Sequence, residues 1–327
     1  MPVRNIRYRE ALREAMIEEM ERDPNVMIMG EEVGHYDGAY KVTEGMLKKF
    51  GDKRVLDTPI AEAGFTGVAI GAALTGVRPI VEFMTWNFSA VAFDQILNNA
   101  AKLRQMSGGQ FSVPMVLRGP NASAKQVGSQ HSHAMEHFYA TVPGLKVIVP
   151  AFPQDAKGLL KSAIRDNNPV LCMESETLYS SKGDVDDSID TVPLGVANVV
   201  RTGTKCTLVA YSRMTHVCLE AAQKLQDKGY DVEVVDLRSL RPLDEETIIR
   251  SVKKTHRCVV VHEGWSYGGV GAEIADRVQR LAFNHLDAPI LRVTSYDAPM
   301  PYNATLEQIC NPTSDRVVAT VLNAINF

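Results

Sequence analysis

Leu12, Ala15, Met16 and Met20 recur at helical spacing between charged neighbours, which predicts that the amino-terminal segment passes directly into an amphipathic helix stopped by Asp23-Pro24. The apolar run Val26 to Met29 follows as a first strand. From there one phrase repeats: a short apolar strand, a turn carrying Gly or Pro, then a helix. Strands are expected at Arg78 to Phe83, Met115 to Leu117, Lys146 to Val149 and Val170 to Met173. Helices are expected around Ala63 to Leu74, Phe88 to Gln105, His133 to Thr141 and Asp155 to Arg165. Such alternation needs crossover connections and implies a mostly parallel sheet covered on both faces.

The polar stretch Ser180 to Pro193 leaves little apolar surface to bury and reads as an interdomain linker. After it the phrase resumes, with strands at Thr207 to Tyr211, Val232 to Leu237, Cys258 to His262 and Ile290 to Val293. Helices His216 to Leu225, Asp244 to Lys253 and Val270 to Phe283 lie between them. The expected fold class is therefore α/β, two parallel-sheet sandwiches, with domains over 1–185 and 200–327 joined by a linker at 186–199.

Composition narrows the class without naming a chemistry. At 327 residues the chain is long enough for two cores. Lys plus Arg total 35 against 39 Asp plus Glu, a net charge of −4, which gives no electrostatic footprint for nucleic acid. Five scattered cysteines with no CxxC read as reduced thiols, and no stretch approaches a membrane span. The amino terminus lacks the apolar centre of a signal peptide. These features point to a bacterial-type cytoplasm, or to a mitochondrial or plastid chain whose transit peptide has been removed.

Several short patterns carry chemistry, each beside a plainer reading. His133-Ala-Met-Glu136-His137 fits the HxxEH spacing of helix-borne zinc ligands, but that chemistry needs a further ligand and a different architecture, so a polar helix start is preferred. Tyr267 to Ala272 breaks the spacing of a dinucleotide loop and reads as a glycine-rich helix start. Pro59 ends a strand so that Glu62 falls at a strand-to-helix junction, where parallel sheets place ligands, although a glutamate in a first turn also simply favours the helix dipole. Phe83, Trp86 and Phe88 bunch at a strand's carboxyl end, as core or as the wall of a pocket for a planar heterocycle. The Gln130-His131-Ser132-His133 loop offers proton carriers or a solvated turn. Asn168-Pro169 closes a helix whose freed carbonyls could ring a hard cation.

Taken together, the stretches DTPIAEAGFTGVAIGAAL, RPIVEFMTWNF, AFDQILNNAAK, PMVLRGPN, GSQHSH, PGLKVIVP and DAKGLLKSAIRDNNPV resemble the beta subunits of the thiamine-diphosphate-dependent pyruvate dehydrogenase decarboxylase component, through nearly the whole chain. The resemblance implies a pyrimidine-binding domain followed by a transketolase C-terminal-like domain, in an α2β2 heterotetramer holding the cofactor between subunits. The Gly-Asp-Gly signature for diphosphate and magnesium belongs to the alpha subunit; here Gly51-Asp52 is followed by Lys53.

Carried over by position, Glu62 would face the aminopyrimidine ring nitrogen, with Phe88 stacked near that ring and Met84 and Ile60 lining the same side. His131 would lie by the cofactor and deliver a proton during acetyl transfer to the lipoyl group; His133 stands where many relatives carry Gln, leaving open whether one histidine or two contribute. The resemblance also implies a structural potassium site built on Met115, Ala163, Ile164, Asp166 and Asn168. EFMTWNF is closer to the pyruvate version of this segment than to the branched-chain 2-oxo-acid or acetoin versions, which remain the alternative, with Trp86 a departure. The apolar tail Val321 to Phe327 matches the end that helps dock the dihydrolipoyl acyltransferase core in the family.

Overall fold

The computed structural model describes residues 3–327. The chain forms two compact units: one runs to Asn121 and resumes over Phe138–Leu194, and the other takes Ala122–His137 and Gly195–Phe327.

In the first unit, strands β1 (Val3–Arg7), β2 (Val26–Gly30), β3 (Val55–Asp57), β4 (Arg78–Glu82), β5 (Val116–Pro120), β6 (Lys146–Ile148), β7 (Val170–Glu174) and β8 (Lys182–Asp186) alternate with helices Tyr8–Arg22, Glu62–Leu74 and Pro153–Arg165. The order β6-β7-β5-β4-β2-β3 is parallel throughout. Because helices cover both faces, β5 and β7 are buried along their whole length, and their unbroken apolar or paired character follows. Tyr8, Leu12, Met16 and Met20 are fully buried, so the periodicity read from the sequence is the core-facing side of the first helix. Each such side chain contributes roughly 1.5–3 kcal/mol by leaving water.

Three expectations need correction here. The chain does not enter a helix directly: β1 comes first, paired antiparallel with β8 from Val3↔Asp186 to Arg7↔Lys182. The polar stretch 180–193 is correspondingly not a loose linker. It supplies β8, and its aspartates bind basic residues of the same unit, Asp187 with Arg4 (2.6 Å) and Lys157 (3.1 Å), Asp190 with Arg165 (2.7 Å) and Lys161. The step between units falls at Leu194/Gly195, inside the expected linker 186–199. The expected helix Phe88 to Gln105 breaks into a 3₁₀ turn Trp86–Ala90, a π turn Gln95–Ala100 and a short α turn Leu103–Met106. Ala101 N–H reaches back to the Ile96 carbonyl (3.1 Å), and Gly144 packs so tightly on the Ala101 carbonyl that an added Cβ would lie 2.0 Å from it.

The second unit carries β9 (Asn198–Arg201), β10 (Thr207–Ala210), β11 (Glu233–Asp236), the short β12 (Ser239–Arg241), β13 (Cys258–Trp265) and β14 (Leu291–Ser295). Its sheet runs β14-β13-β10-β11-β9, parallel except for the edge strand β9, which is antiparallel to β11 and was not anticipated. The carboxyl-terminal helix Ser314–Ile325 buries Val317, Val321 and Ala324 in this core. Of the tail Val321 to Phe327, Val321 and Ala324 are buried in this core, Leu322 and Ile325 are partly buried, and Phe327 is its one exposed apolar side chain.

Candidate active site

Glu62 is placed by two adjacent parallel strands. β2 and β3 pair with Gly30 beside Asp57, Thr58 N–H then bonds the Gly30 carbonyl (2.9 Å), and the chain turns through Pro59 into helix Glu62–Leu74. Glu62 opens that helix and is 6% exposed. Glu31 is the residue immediately after β2, only 5% exposed, and its carboxyl faces that of Glu62. Burial, then the Glu62 charge, then a hydrogen bond between the two carboxyls push Glu31 up to about 7. One of its oxygens, Oε1, has no partner among the described residues. The pair can hold a proton near neutrality and present a carboxylate to a basic ring nitrogen.

Glu31 was not anticipated from the sequence. Its signal, an acidic pair directly after an apolar strand, is meaningful only once that strand is known to lie beside the one leading to Glu62. A group whose carboxyl is raised by folding loses stability as pH climbs from its ordinary range towards 7, because the unfolded chain then holds fewer protons than the folded one. Glu31→Gln is thus expected to raise the melting temperature at pH 8 and to change it little at pH 5. Equal shifts at both pH values in thermal denaturation would contradict the shared proton.

Of the residues expected to line the ring, Ile60 is 83% exposed and Met84 and Phe88 are half-buried. Phe65 of the helix lies 5.9 Å from Phe83, which brings the helix against the end of β4. Trp86 is different. It is fully buried, 5.4 Å from both Phe83 and Tyr139, and donates its indole N–H to the Cys172 carbonyl (3.3 Å). The Phe-to-Trp departure is absorbed by the core and does not face a pocket.

His131 belongs to the second unit, in the excursion 122–137. The expected helix His133 to Thr141 is shortened to Glu136–Ala140, because the His133 carbonyl is used to accept Ala122 N–H (3.0 Å) and close a loop. His131 ends a 3₁₀ turn, Ser129–His131, while the His133 ring meets Trp265 edge-on at 5.7 Å. Burial, with His131 nearby, lowers the His133 pKa. Burial thus favours the neutral form of the His133 imidazole. The HxxEH arrangement does not converge: His137 also packs on Trp265 (6.4 Å), and Glu136 accepts the Tyr211 hydroxyl (2.8 Å). Among the described residues no group of three or more His, Cys, Asp or Glu side chains gathers around one point. The glycines after Tyr267 open helix Val270–Ala282 and let it approach His262; a Cβ on Gly271 would lie 2.6 Å from His262 Nε2.

The expected cation loop has an oxygen-only donor set, already engaged by protein. The Met115 carbonyl accepts Val170 N–H (3.0 Å) and that of Ala163 accepts Asp166 N–H (3.2 Å). Arg78 donates to the carbonyls of Ile164 (2.9 Å) and Asp166 (2.6 Å). The Asp166 carboxylate accepts the Asn168 backbone and side-chain N–H groups, both at 2.8 Å, and pairs with Lys146. Lys146 and Asn168 together hold Asp166 below the usual carboxylate range.

A buried ion triad was missed as well. Arg118 on β5 donates to Glu174 on β7 (2.7 Å through Nε) and to Glu82 on β4, and Tyr179 donates to Glu174 (2.7 Å). All three charged residues are buried, and burial raises the Glu82 carboxyl against the opposing pull of Arg118. Neighbouring parallel strands create the cluster, since Glu82 pairs with Arg118 and Pro120 with Glu174.

Comparison with known proteins defines the class first. Residues 4–182 match the transketolase pyrimidine-binding domain and 195–317 the transketolase C-terminal domain. A solved split-gene transketolase, an inactive beta4 tetramer, shares the fold at TM-score 0.81 over 98% of this chain and 99% of that one, with 24% identity. The chain is 52% identical to the pyruvate dehydrogenase E1 component subunit beta of Rickettsia felis over 97% of both chains. It is also 52% identical to the mitochondrial counterpart of Caenorhabditis elegans (98% of this chain, 92% of that one) and 49% identical to that of Bos taurus (98% and 91%). The chain belongs to the family of pyruvate dehydrogenase E1 beta subunits.

Proposed function

We propose that this chain is the catalytic beta subunit of the acetyl-transferring pyruvate dehydrogenase component. With an alpha subunit, in an α2β2 heterotetramer, it decarboxylates pyruvate and passes the acetyl unit to the lipoyl group of a dihydrolipoyl acyltransferase core, feeding acetyl-CoA synthesis. The observation that carries the reading is a buried glutamate at a strand-to-helix junction, facing a second carboxyl, inside a pyrimidine-binding domain.

The residues fit thiamine diphosphate: a buried carboxylate for a basic ring nitrogen, a half-buried Phe88 for a ring face, and apolar Met84 and Ile60 beside them. Bound there, the cofactor supplies the carbon nucleophile that attacks the 2-oxo carbon and accepts the electrons left when carbon dioxide departs. Glu62 would grip the pyrimidine nitrogen by a short charge-assisted hydrogen bond and hold a proton there. Glu31 would keep that carboxylate in a dry, proton-sharing pair. His131 would deliver a proton as the acetyl group moves to the dithiolane, with His133 kept neutral beside it. Magnesium and the diphosphate would be held by the alpha subunit.

A potassium ion would share the second lone pairs of the Met115, Ala163, Ile164 and Asp166 carbonyls, near Asn168. It would bind against the positive charge that Arg78 and Lys146 already bring to that loop, in a structural rather than a chemical role. Five free cysteines, four of them buried, suit a reducing compartment such as a bacterial cytoplasm or, after transit-peptide removal, the mitochondrial matrix or plastid. Among the described residues no helix is long and apolar enough to cross a membrane.

Substrate choice tests the reading. Reconstituted with its alpha partner, the enzyme is expected to prefer pyruvate over 3-methyl-2-oxobutanoate by about tenfold or more in kcat/KM, the scale on which pockets reject added methyl groups. Preference for the branched acid would move the chain to the branched-chain 2-oxo-acid enzymes.

A further inference from the structure

We propose that Glu307 is a positioning residue for the His131 loop, its buried carboxylate bridging Ser123 and Gln126 within the second unit. The inference rests on the role given above to His131.

The loop is closed at its ends by Ala122 N–H to the His133 carbonyl (3.0 Å). Two of its non-glycine residues hold left-handed backbone, Ala122 at φ +63° and Gln126 at φ +56°, a conformation that costs energy unless the surroundings fix it. Glu307 supplies that fixing. It lies on helix Ala304–Cys310, whose start is set by Asn303 accepting from Thr305 N–H (3.0 Å) and Leu306 N–H (3.2 Å). Glu307 is 8% exposed; Oε1 accepts the Ser123 hydroxyl (2.9 Å) and Oε2 accepts Gln126 N–H (3.0 Å).

Asn311 adds a bond to the Ser123 hydroxyl oxygen (3.2 Å). Ser129, two residues before His131, donates to the Met300 carbonyl (2.9 Å). An ionised carboxylate accepts at both oxygens, and charge-assisted bonds are about twice as strong as neutral ones. Glutamine would keep one acceptor and set an amide N–H against a donor. The left-handed turn at Gln126 would then lose its brace five residues before His131.

The test uses the reconstituted α2β2 holoenzyme with thiamine diphosphate and magnesium, assayed in two halves: decarboxylation of pyruvate with ferricyanide as oxidant, and reductive acetylation of a lipoyl domain. Glu307→Gln is expected to slow reductive acetylation by about tenfold or more while decarboxylation holds. Amide exchange over residues 122–132 should accelerate. Glu307→Asp should recover part of both losses, and Ser123→Ala, which removes one bond only, provides a milder version should Glu307→Gln fold poorly.

Loss of acetylation in His131→Ala with none in Glu307→Gln would overturn the inference and leave the role of His131 standing. If His131→Ala acetylates normally, that role falls, and exchange decides the clamp: unchanged protection over 122–132 in Glu307→Gln overturns it, and faster exchange supports it.

Discussion

Replacing Glu62 by Gln in the α2β2 enzyme is expected to lower pyruvate decarboxylation by about 10²–10⁴-fold, the range over which a positioned acid or base acts, while assembly is retained. Glutamine nearly matches glutamate in shape, so the helix start at residue 62 and the packing around it should survive. What disappears is the negative charge. An amide cannot hold a proton for a ring nitrogen, and it no longer forms with Glu31 the carboxyl pair that keeps Glu31 protonated up to about 7. Glu62→Asp should fall between the two, because the charge remains but stands one methylene short. Decarboxylation within about threefold of the wild type in Glu62→Gln would remove Glu62 from the chemistry.

The largest expected effect on stability comes from Arg118→Met. Arg118, Glu82 and Glu174 lie on three adjacent strands in the buried sheet, and Arg118 answers both carboxylates there. Removing it strands two buried acids, which costs about 3–5 kcal/mol for a broken buried pair. At roughly 2–4 °C per kcal/mol for a domain of the first unit's size, the melting temperature should fall on the order of 10 °C. Adding Glu82→Gln and Glu174→Gln to the same chain should recover part of the loss, since no unpaired charge is then left in the sheet. A fall below about 2 °C in Arg118→Met would show that the triad is hydrated or otherwise compensated.

The sheet interiors and the Glu62 junction were legible because each depends on local signals. Val26 to Met29 and Val170 to Met173 are unbroken apolar runs, and Pro59 before Glu62 forces the strand to end where the helix begins. What stayed hidden depends on partners far along the chain. Glu31 matters only through Glu62, Arg118 only through Glu82 and Glu174, and Glu307 only through Ser123 and Gln126. The segment 180–193 looked like linker because it carries no apolar pattern; its Asp187 and Asp190, just after β8, are held instead by Arg4, Lys157, Lys161 and Arg165. Helical periodicity likewise overstated the segment 88–105, where Gly144 pressing on the Ala101 carbonyl accompanies a π turn that no residue of the segment itself announces. The aromatic bunch at the end of β4 allowed either core or pocket for Trp86, and its burial assigns it to the core.

A crystal structure of the reconstituted enzyme with thiamine diphosphate bound measures the central contact directly. The expected result is a Glu62 carboxylate oxygen about 2.7–2.9 Å from the pyrimidine ring nitrogen, the length of a charge-assisted N–H···O bond. A pyrimidine ring held by another side chain, with the Glu62 carboxylate out of hydrogen-bonding reach, would contradict it.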